Sequence, residues 1–314
     1  MKSGSRLEQL LARGEFVVTA ELGPPMSADV EVIAKKAELL RHTADAFNVT
    51  DNQTAVVRMS SIAASVLCLK SGLEPIMQMV CRDRNRIAMQ SDILGAVALG
   101  IRNCLCISGD HQSFGRAGKL LGHPGAKNVY DIDSINQIRM FRQLRDEGKF
   151  QGGDPVKGQV PLFIGAAWTP LGDPVDFRVI RLGKKIAAGA DFVQTQGVYD
   201  IERFADAMKK ARAEGLHEKT AILAGIIVPK SAGMLKYMNN SVAGVSVPEA
   251  LIRRMSEAAD QKAEGVAIAV ELIRDIRKIE GIRGVHIQPV EWESIMRTIS
   301  DKAGLLPRPE IPDA

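Results

Sequence analysis

Phe16-Val17-Val18-Thr19-Ala20-Glu21-Leu22-Gly23-Pro24-Pro25 is an apolar run that delivers a carboxylate at its end, and Asn103-Cys104-Leu105-Cys106-Ile107-Ser108-Gly109-Asp110 repeats the device. Each reads as a buried β-strand with an acid at its carboxyl end, which is where catalytic groups gather in a parallel barrel. Gly23-Pro24-Pro25 is a stiff exit that fixes where Glu21 points. Gly109-Asp110 also suits a turn or the N-cap of a following helix, so Asp110 has two readings. Two carboxylates in different surroundings suit one acid and one electrostatic partner.

Outward from these runs, β-branched segments alternate with helical periodicity from end to end. Strands are expected at 46–50, 75–81, 162–167, 191–196, 220–227 and 284–288. Helices are expected at 29–42, 56–70, 85–99, 134–146, 175–188, 201–214, 231–237 and 292–302, with one extended helical stretch at 248–278. A long Gly-rich loop covers 111–127 and, at that length, suggests function. The count comes to about eight βα units, the number that closes a barrel. No G-x-G-x-x-G follows a strand and no P-loop signature is present, which disfavours an open nucleotide-binding sheet. The fold class is therefore α/β, a single (β/α)8 TIM barrel over residues 1–314.

Composition narrows the function. The chain has 314 residues, 46% hydrophobic and 25% charged, enough for a large core. Its net charge of +4 is spread along helices, which does not indicate nucleic-acid binding. Such a balance remains compatible with a mildly positive mouth that attracts an anionic cofactor. The absence of a long uncharged apolar segment or signal-peptide core leads to the expectation of a cytoplasmic protein that does not enter membranes. Cys68, Cys81, Cys104 and Cys106 lack metal-ligand spacing and read as buried free thiols, so no metal site is expected.

Read together, Glu21 before Pro24-Pro25, Thr50 after the second strand, Gly109-Asp110 after the fourth and Thr195-Gln196 after the sixth form a pattern that resembles the methylenetetrahydrofolate reductase family. Ala188-Gly189-Ala190-Asp191-Phe192 and Ala224-Gly225-Ile226-Ile227 extend it over nearly the whole chain. The resemblance implies a flavin-bearing barrel that reduces 5,10-methylenetetrahydrofolate to 5-methyltetrahydrofolate. It implies Glu21 as general acid, Asp110 as the ionised group beside flavin and pterin, and Gln196 as a pterin ligand. Thr50, Gln78, Gly109, Asp110, Tyr130, Asp131 and Lys185 are the cofactor-binding positions it implies. FAD is the expected cofactor with FMN as the alternative, and NADH or NADPH is the family's usual donor.

Three departures qualify the match, one being a pyrophosphate-binding helix that reads Arg178, Arg181, Lys184 and Lys185 along one side. Gln78 stands where many family members have histidine, and Pro229-Lys230-Ser231-Ala232-Gly233 stands where they have an aromatic that stacks on folate and nicotinamide. Aromatic residues make up only 4% of the chain, and the nearest replacements, Trp168 and Tyr199, read as packing. An iron-sulfur partner subunit is therefore an alternative donor, within a homo- or hetero-oligomer. Two rival functions are a flavin-free pterin-binding barrel that transfers one-carbon units and a non-catalytic barrel subunit of a larger redox complex.

Overall fold

The computed structural model describes residues 1–113, 115–116, 119–120 and 122–311. The Gly-rich loop expected at 111–127 thus lies partly outside the described residues. Eight parallel strands close in sequence order: β1 (Val17–Leu22), β2 (Ala46–Val49), β3 (Pro75–Val80), β4 (Asn103–Ile107), β5 (Phe163–Trp168), β6 (Phe192–Gly197), β7 (Ala221–Ile227) and β8 (Ile282–Gln288), with β8 pairing β1. Each crossover carries helix, as parallel pairing requires. The expected barrel is the one observed.

Side chains alternate along each strand, so one set points to the shell of helices and the other into the barrel. The outward set meets those helices in the main core, where Ile33, Ala37 and Leu40 of α2 (Val30–Leu40) are fully buried. The inward set begins at the amino-terminal end with Val17, Ala46, Ile76, Leu105, Phe163, Phe192 and Leu223. Leu7, Leu10 and Leu11 of α1 (Arg6–Ala12) close that end as a plug. Phe192 lies against Phe163 with ring centroids 5.3 Å apart, over Gly165, where any Cβ would meet the Phe192 ring at 2.4 Å.

Three acids hold the plug in place. Asp45 is buried and accepts from the Val18 amide at 2.8 Å, from Arg308 at 2.6 Å and from Arg6 at 3.4 Å. Glu74 accepts from the amides of Arg6 and Leu7, and Asp191 pairs with Arg145 and Lys2. The amino- and carboxyl-terminal segments thus converge on the bottom of the barrel, and the opposite end stays open.

Some helix boundaries depart from periodicity. The stretch at 248–278 breaks into α10 (Glu249–Glu257) and α11 (Gln261–Ile276), because Asp260 turns its carboxylate back on the amides of Lys262 and Ala263 as an N-cap. The helix expected from Val56 begins only at Ser61, as α3 (Ser61–Lys70), with Ser60 capping the Ala63 amide. The residues before it form a tight turn at Gln53–Ala55 instead. The helix expected at 292–302 opens with a 3₁₀ turn at Glu293–Ile295 before α12 (Met296–Lys302). All four cysteines are free and buried. Among the described residues, no helix is long and apolar enough to cross a membrane.

Candidate active site

One layer above the plug the barrel interior turns polar. Thr19 lies opposite His286 in the β1–β8 register, with Thr19 Oγ1 3.0 Å from His286 Nδ1. Gln194 donates to Thr19 Oγ1 and to Asn48 Oδ1, both at 3.0 Å, and Asn48 returns a bond to Gln194 Oε1 at 2.6 Å. Thr19 Oγ1 receives the amide proton, and the direction of its bond with His286 Nδ1 is set by the imidazole tautomer. Burial pushes the His286 pKa down to about 3, so the ring is neutral. Two residues further along the same strands, towards the open end, are Glu21, Thr50, Gln196 and Gln288.

Glu21 is half-buried at that end. Burial pushes its pKa up to about 7; the neighbouring Glu293 adds to the rise, and Lys36 and Arg58 oppose it. Its exit loop is gripped from two sides, by Lys36 Nζ on the Gly23 carbonyl at 3.0 Å and by Arg58 Nη1 on the Pro24 carbonyl at 3.2 Å.

Asp110 stands on a different wall, three strands round from Glu21. It is exposed, and its Oδ2 accepts from the Thr54 amide at 2.9 Å. Gly109 before it has φ +86°, and a Cβ there would meet Val80 Cβ at 3.0 Å, so the turn requires glycine. The turn that caps Asp110 is strained, with Asn52, Thr54 and Ala55 all at positive φ. Buried Arg82 clamps it, donating to the carbonyls of Asp110 at 3.0 Å and Asn52 at 3.1 Å while forking onto Asp83. Tyr130 (φ +39°) donates its hydroxyl to the Gly109 carbonyl at 3.2 Å. The Gly109, Asp110 and Tyr130 positions are therefore in direct contact. Asp131 turns away to Arg86, which forks onto its carboxylate at 2.7 and 2.9 Å and holds its pKa down at about 2.

Thr50 is buried beside this wall, and its hydroxyl has no partner among the described residues. Gln78 of β3 is 8% exposed and its amide makes no hydrogen bond among the described residues. Gln196 is set by an irregularity at the end of β6, where the pairing with β7 skips between Gln194 and Gly197. Thr195 there bonds the Gly225 amide at 2.8 Å, an approach open only because Gly225 lacks a Cβ that would meet the Thr195 carbonyl at 2.3 Å.

Between the ends of β4 and β5 lies a cavity of about 270 Å³, lined among others by Ser108, Ser134, Phe177, Arg178, Arg181 and Lys185. Lys185 of α6 (Val175–Ala188) donates to the Ala167 carbonyl, and burial next to Arg181 lowers its pKa to about 8. Arg178, Arg181 and Lys185 face the cavity, whereas Lys184 on the same helix is exposed away from it. Trp168 and Tyr199 are buried in the helical shell, with Trp168 donating to the Arg178 carbonyl and Tyr199 to the Ile227 carbonyl.

Glu21, Thr50, Gly109, Asp110, Gln196 and Lys185, singled out in the sequence, lie at or beside the carboxyl ends of strands, and the groups that hold them come from other elements. Lys36, Arg58, Arg82 and Glu293 were missed. Arg82 carried a faint signal, since Cys81-Arg82-Asp83-Arg84-Asn85-Arg86 directly follows a strand.

A model of the family described as methylenetetrahydrofolate reductase matches residues 6–304. Methylenetetrahydrofolate reductase 1 of Schizosaccharomyces pombe is 29% identical over 242 residues, covering 74% of this chain and 36% of that protein. A probable methylenetetrahydrofolate reductase (NADPH) of Caenorhabditis elegans is 23% identical over 319 residues, covering 96% of this chain and 44% of that protein. The chain thus spans less than half the length of these curated relatives. Among solved structures, an uncharacterized protein from Clostridium thermocellum that binds two copies of 5-methyl-5,6,7,8-tetrahydrofolic acid shares the fold, with a TM-score of 0.66 at 15% identity and coverage of 96% and 98% of the two chains.

Proposed function

Since the chain belongs to the methylenetetrahydrofolate reductase family, we propose that it reduces 5,10-methylenetetrahydrofolate to 5-methyltetrahydrofolate with Glu21 as the general acid. The observation that carries the reading is a half-buried carboxyl, at the open end of the barrel, whose pKa is pushed up to about 7. Such a group still holds its proton near neutral pH and can pass it to a base. Protonation of a folate ring nitrogen breaks its bond to the bridging methylene and leaves an iminium cation; hydride addition to that carbon completes the methyl group. Gln196, with an amide that both donates and accepts, suits the pterin edge. The folate-binding structural relative adds support for this substrate class.

A bound flavin would supply the hydride, and the residues present fit one. The Thr50 hydroxyl is buried with no partner among the described residues. Arg178, Arg181 and Lys185 offer a cationic lining for phosphate in the cavity beside them. Thr50, Gln78, Gly109, Asp110, Tyr130 and Lys185 would hold the cofactor, FAD in preference to FMN, with Asp131 acting through Arg86 to fix the loop. Asp110, ionised, would stabilise the iminium cation.

Rapid mixing of the two half-reactions tests the assignment. Glu21→Gln is expected to leave flavin reduction by the donor nearly unchanged and to slow folate reduction by about a hundredfold or more. Equal impairment of both halves would refute Glu21 as the acid.

A further inference from the structure

The turn that follows β8 is bent against its own preference. Val290 has φ +42° and Glu291 φ +55°, conformations that non-glycine residues adopt only when the surroundings enforce them. Lys230 holds the bend by donating to the Val290 carbonyl at 2.7 Å. The bend carries Glu293 back towards the barrel, where it is 8% exposed. There it meets Lys36 of α2 at 2.6 Å. Lys36 shares the face of Ile33 and Leu40, three and four residues away, which places its stem along the barrel. The same Nζ donates to the Gly23 carbonyl, two residues past Glu21. A negative and a positive side chain, both largely buried, are thereby fastened to each other and to the exit of the strand that bears the acid.

We infer that Glu293 and Lys36 form a charge couple that sets the proton affinity of Glu21, which makes Glu293 a positioning residue for proton delivery. The inference rests on the reading of Glu21 as general acid. A second carboxylate beside Glu21 disfavours a second negative charge, and an ammonium favours it. The charged groups that face Glu21 are Glu293 from the turn after β8, Lys36 from α2 and Arg58 from the loop after β2. His286 beneath is neutral and adds no charge. Without Glu293, two cations would work against burial and lower the proton affinity of Glu21. Glu293 offsets one of them and keeps the acid loaded.

The sign follows for each partner. A general acid works while protonated, so the rate of folate reduction falls as pH rises through its pKa. Glu293→Gln removes the like charge and frees Lys36, and both effects lower the Glu21 pKa. Lys36→Met removes the favourable charge and frees Glu293, and both effects raise it. An ordinary salt bridge that merely fastens α2 to the turn would not move the limb in opposite directions.

The experiment is the pH profile of the folate half-reaction in the flavin-reduced holoenzyme, together with titration of the Glu21 carboxyl by infrared difference spectroscopy with Glu21→Gln as the assignment control. Glu293→Gln is expected to move the alkaline limb and the carboxyl titration down by about one pH unit, a tenfold loss of protonated acid above the limb. Lys36→Met should move both up. The charge-conserving variants Glu293→Asp and Lys36→Arg should keep the limb in place, and they carry the comparison if a neutral variant fails to fold. A limb that stays put, or moves the same way in both neutral variants, overturns the inference while Glu21→Gln remains inactive with folate. Folate reduction that survives in Glu21→Gln would instead overturn the reading beneath it.

Discussion

Asp110 holds its charge at the rim through one backbone amide, that of Thr54, while Arg82 fixes the carbonyl of the same residue from behind. An asparagine there keeps an oxygen for the Thr54 amide, so Asp110→Asn deletes charge with little loss of shape. The expected outcome is slower folate reduction and a higher flavin potential, because a nearby negative charge disfavours the anionic reduced flavin. Potentiometry on the purified variant checks this, and an unchanged potential would leave Asp110 as a turn residue. The strand-end positions of Glu21, Asp110 and Gln196 were legible in the sequence because a strand end is a local pattern. Glu293, Lys36 and Arg58 were not, since each comes from a different crossover and gains meaning only when the barrel closes.

At the scale of elements, β1, β2, β6 and β8 are joined inside the barrel by the Thr19, Asn48, Gln194 and His286 network. His286 bears the acid sensitivity of this layer. Its folded pKa of about 3 lies below the ordinary imidazole value of about 6.5, so the unfolded chain binds the extra proton between those limits. Stability from this group is complete above about pH 6.5 and is lost as pH falls towards 3, at up to about 1.4 kcal/mol per pH unit. Urea titrations across that window should show a shallower acid decline in His286→Gln than in the parent, and parallel curves would contradict it. Strand order and number were readable because β-branched runs recur. The polar interior was not, because Thr19, Asn48 and Gln194 look like strand polar residues that could face either way. Where a helix begins or breaks was decided by single capping side chains such as Ser60 and Asp260, which periodicity does not weigh.

For the whole molecule, two features bear on behaviour. The segment at 229–233 presents no aromatic face, Trp168 and Tyr199 pack in the shell, and Lys230 is engaged with Val290. A nicotinamide must lie flat on a flavin to pass hydride, and a missing wall leaves that pose poorly held. Anaerobic stopped-flow mixing is expected to show slow reduction of the flavin-loaded protein by NADH and NADPH, with an artificial one-electron donor or a partner protein doing better. Prompt bleaching by either nucleotide would refute this. At the closed end, Asp45→Asn leaves buried Arg308 without its counter-charge, a loss of about 3–5 kcal/mol. Thermal unfolding should register it as a clear fall in midpoint, and an unchanged midpoint would show the pair to be dispensable.

The Asp45 latch also has a consequence in time. Its firmest partner, Arg308, lies 263 residues further along the chain. At roughly 5–20 residues per second, a ribosome takes some tens of seconds to make that stretch. Until then the carboxylate has only Arg6, its weaker partner at 3.4 Å, and the first strand cannot be sealed against the last. The amino-terminal half is thus made early but matures late, which gives a chaperone that shields nascent β1 and β2 a defined interval in which to act.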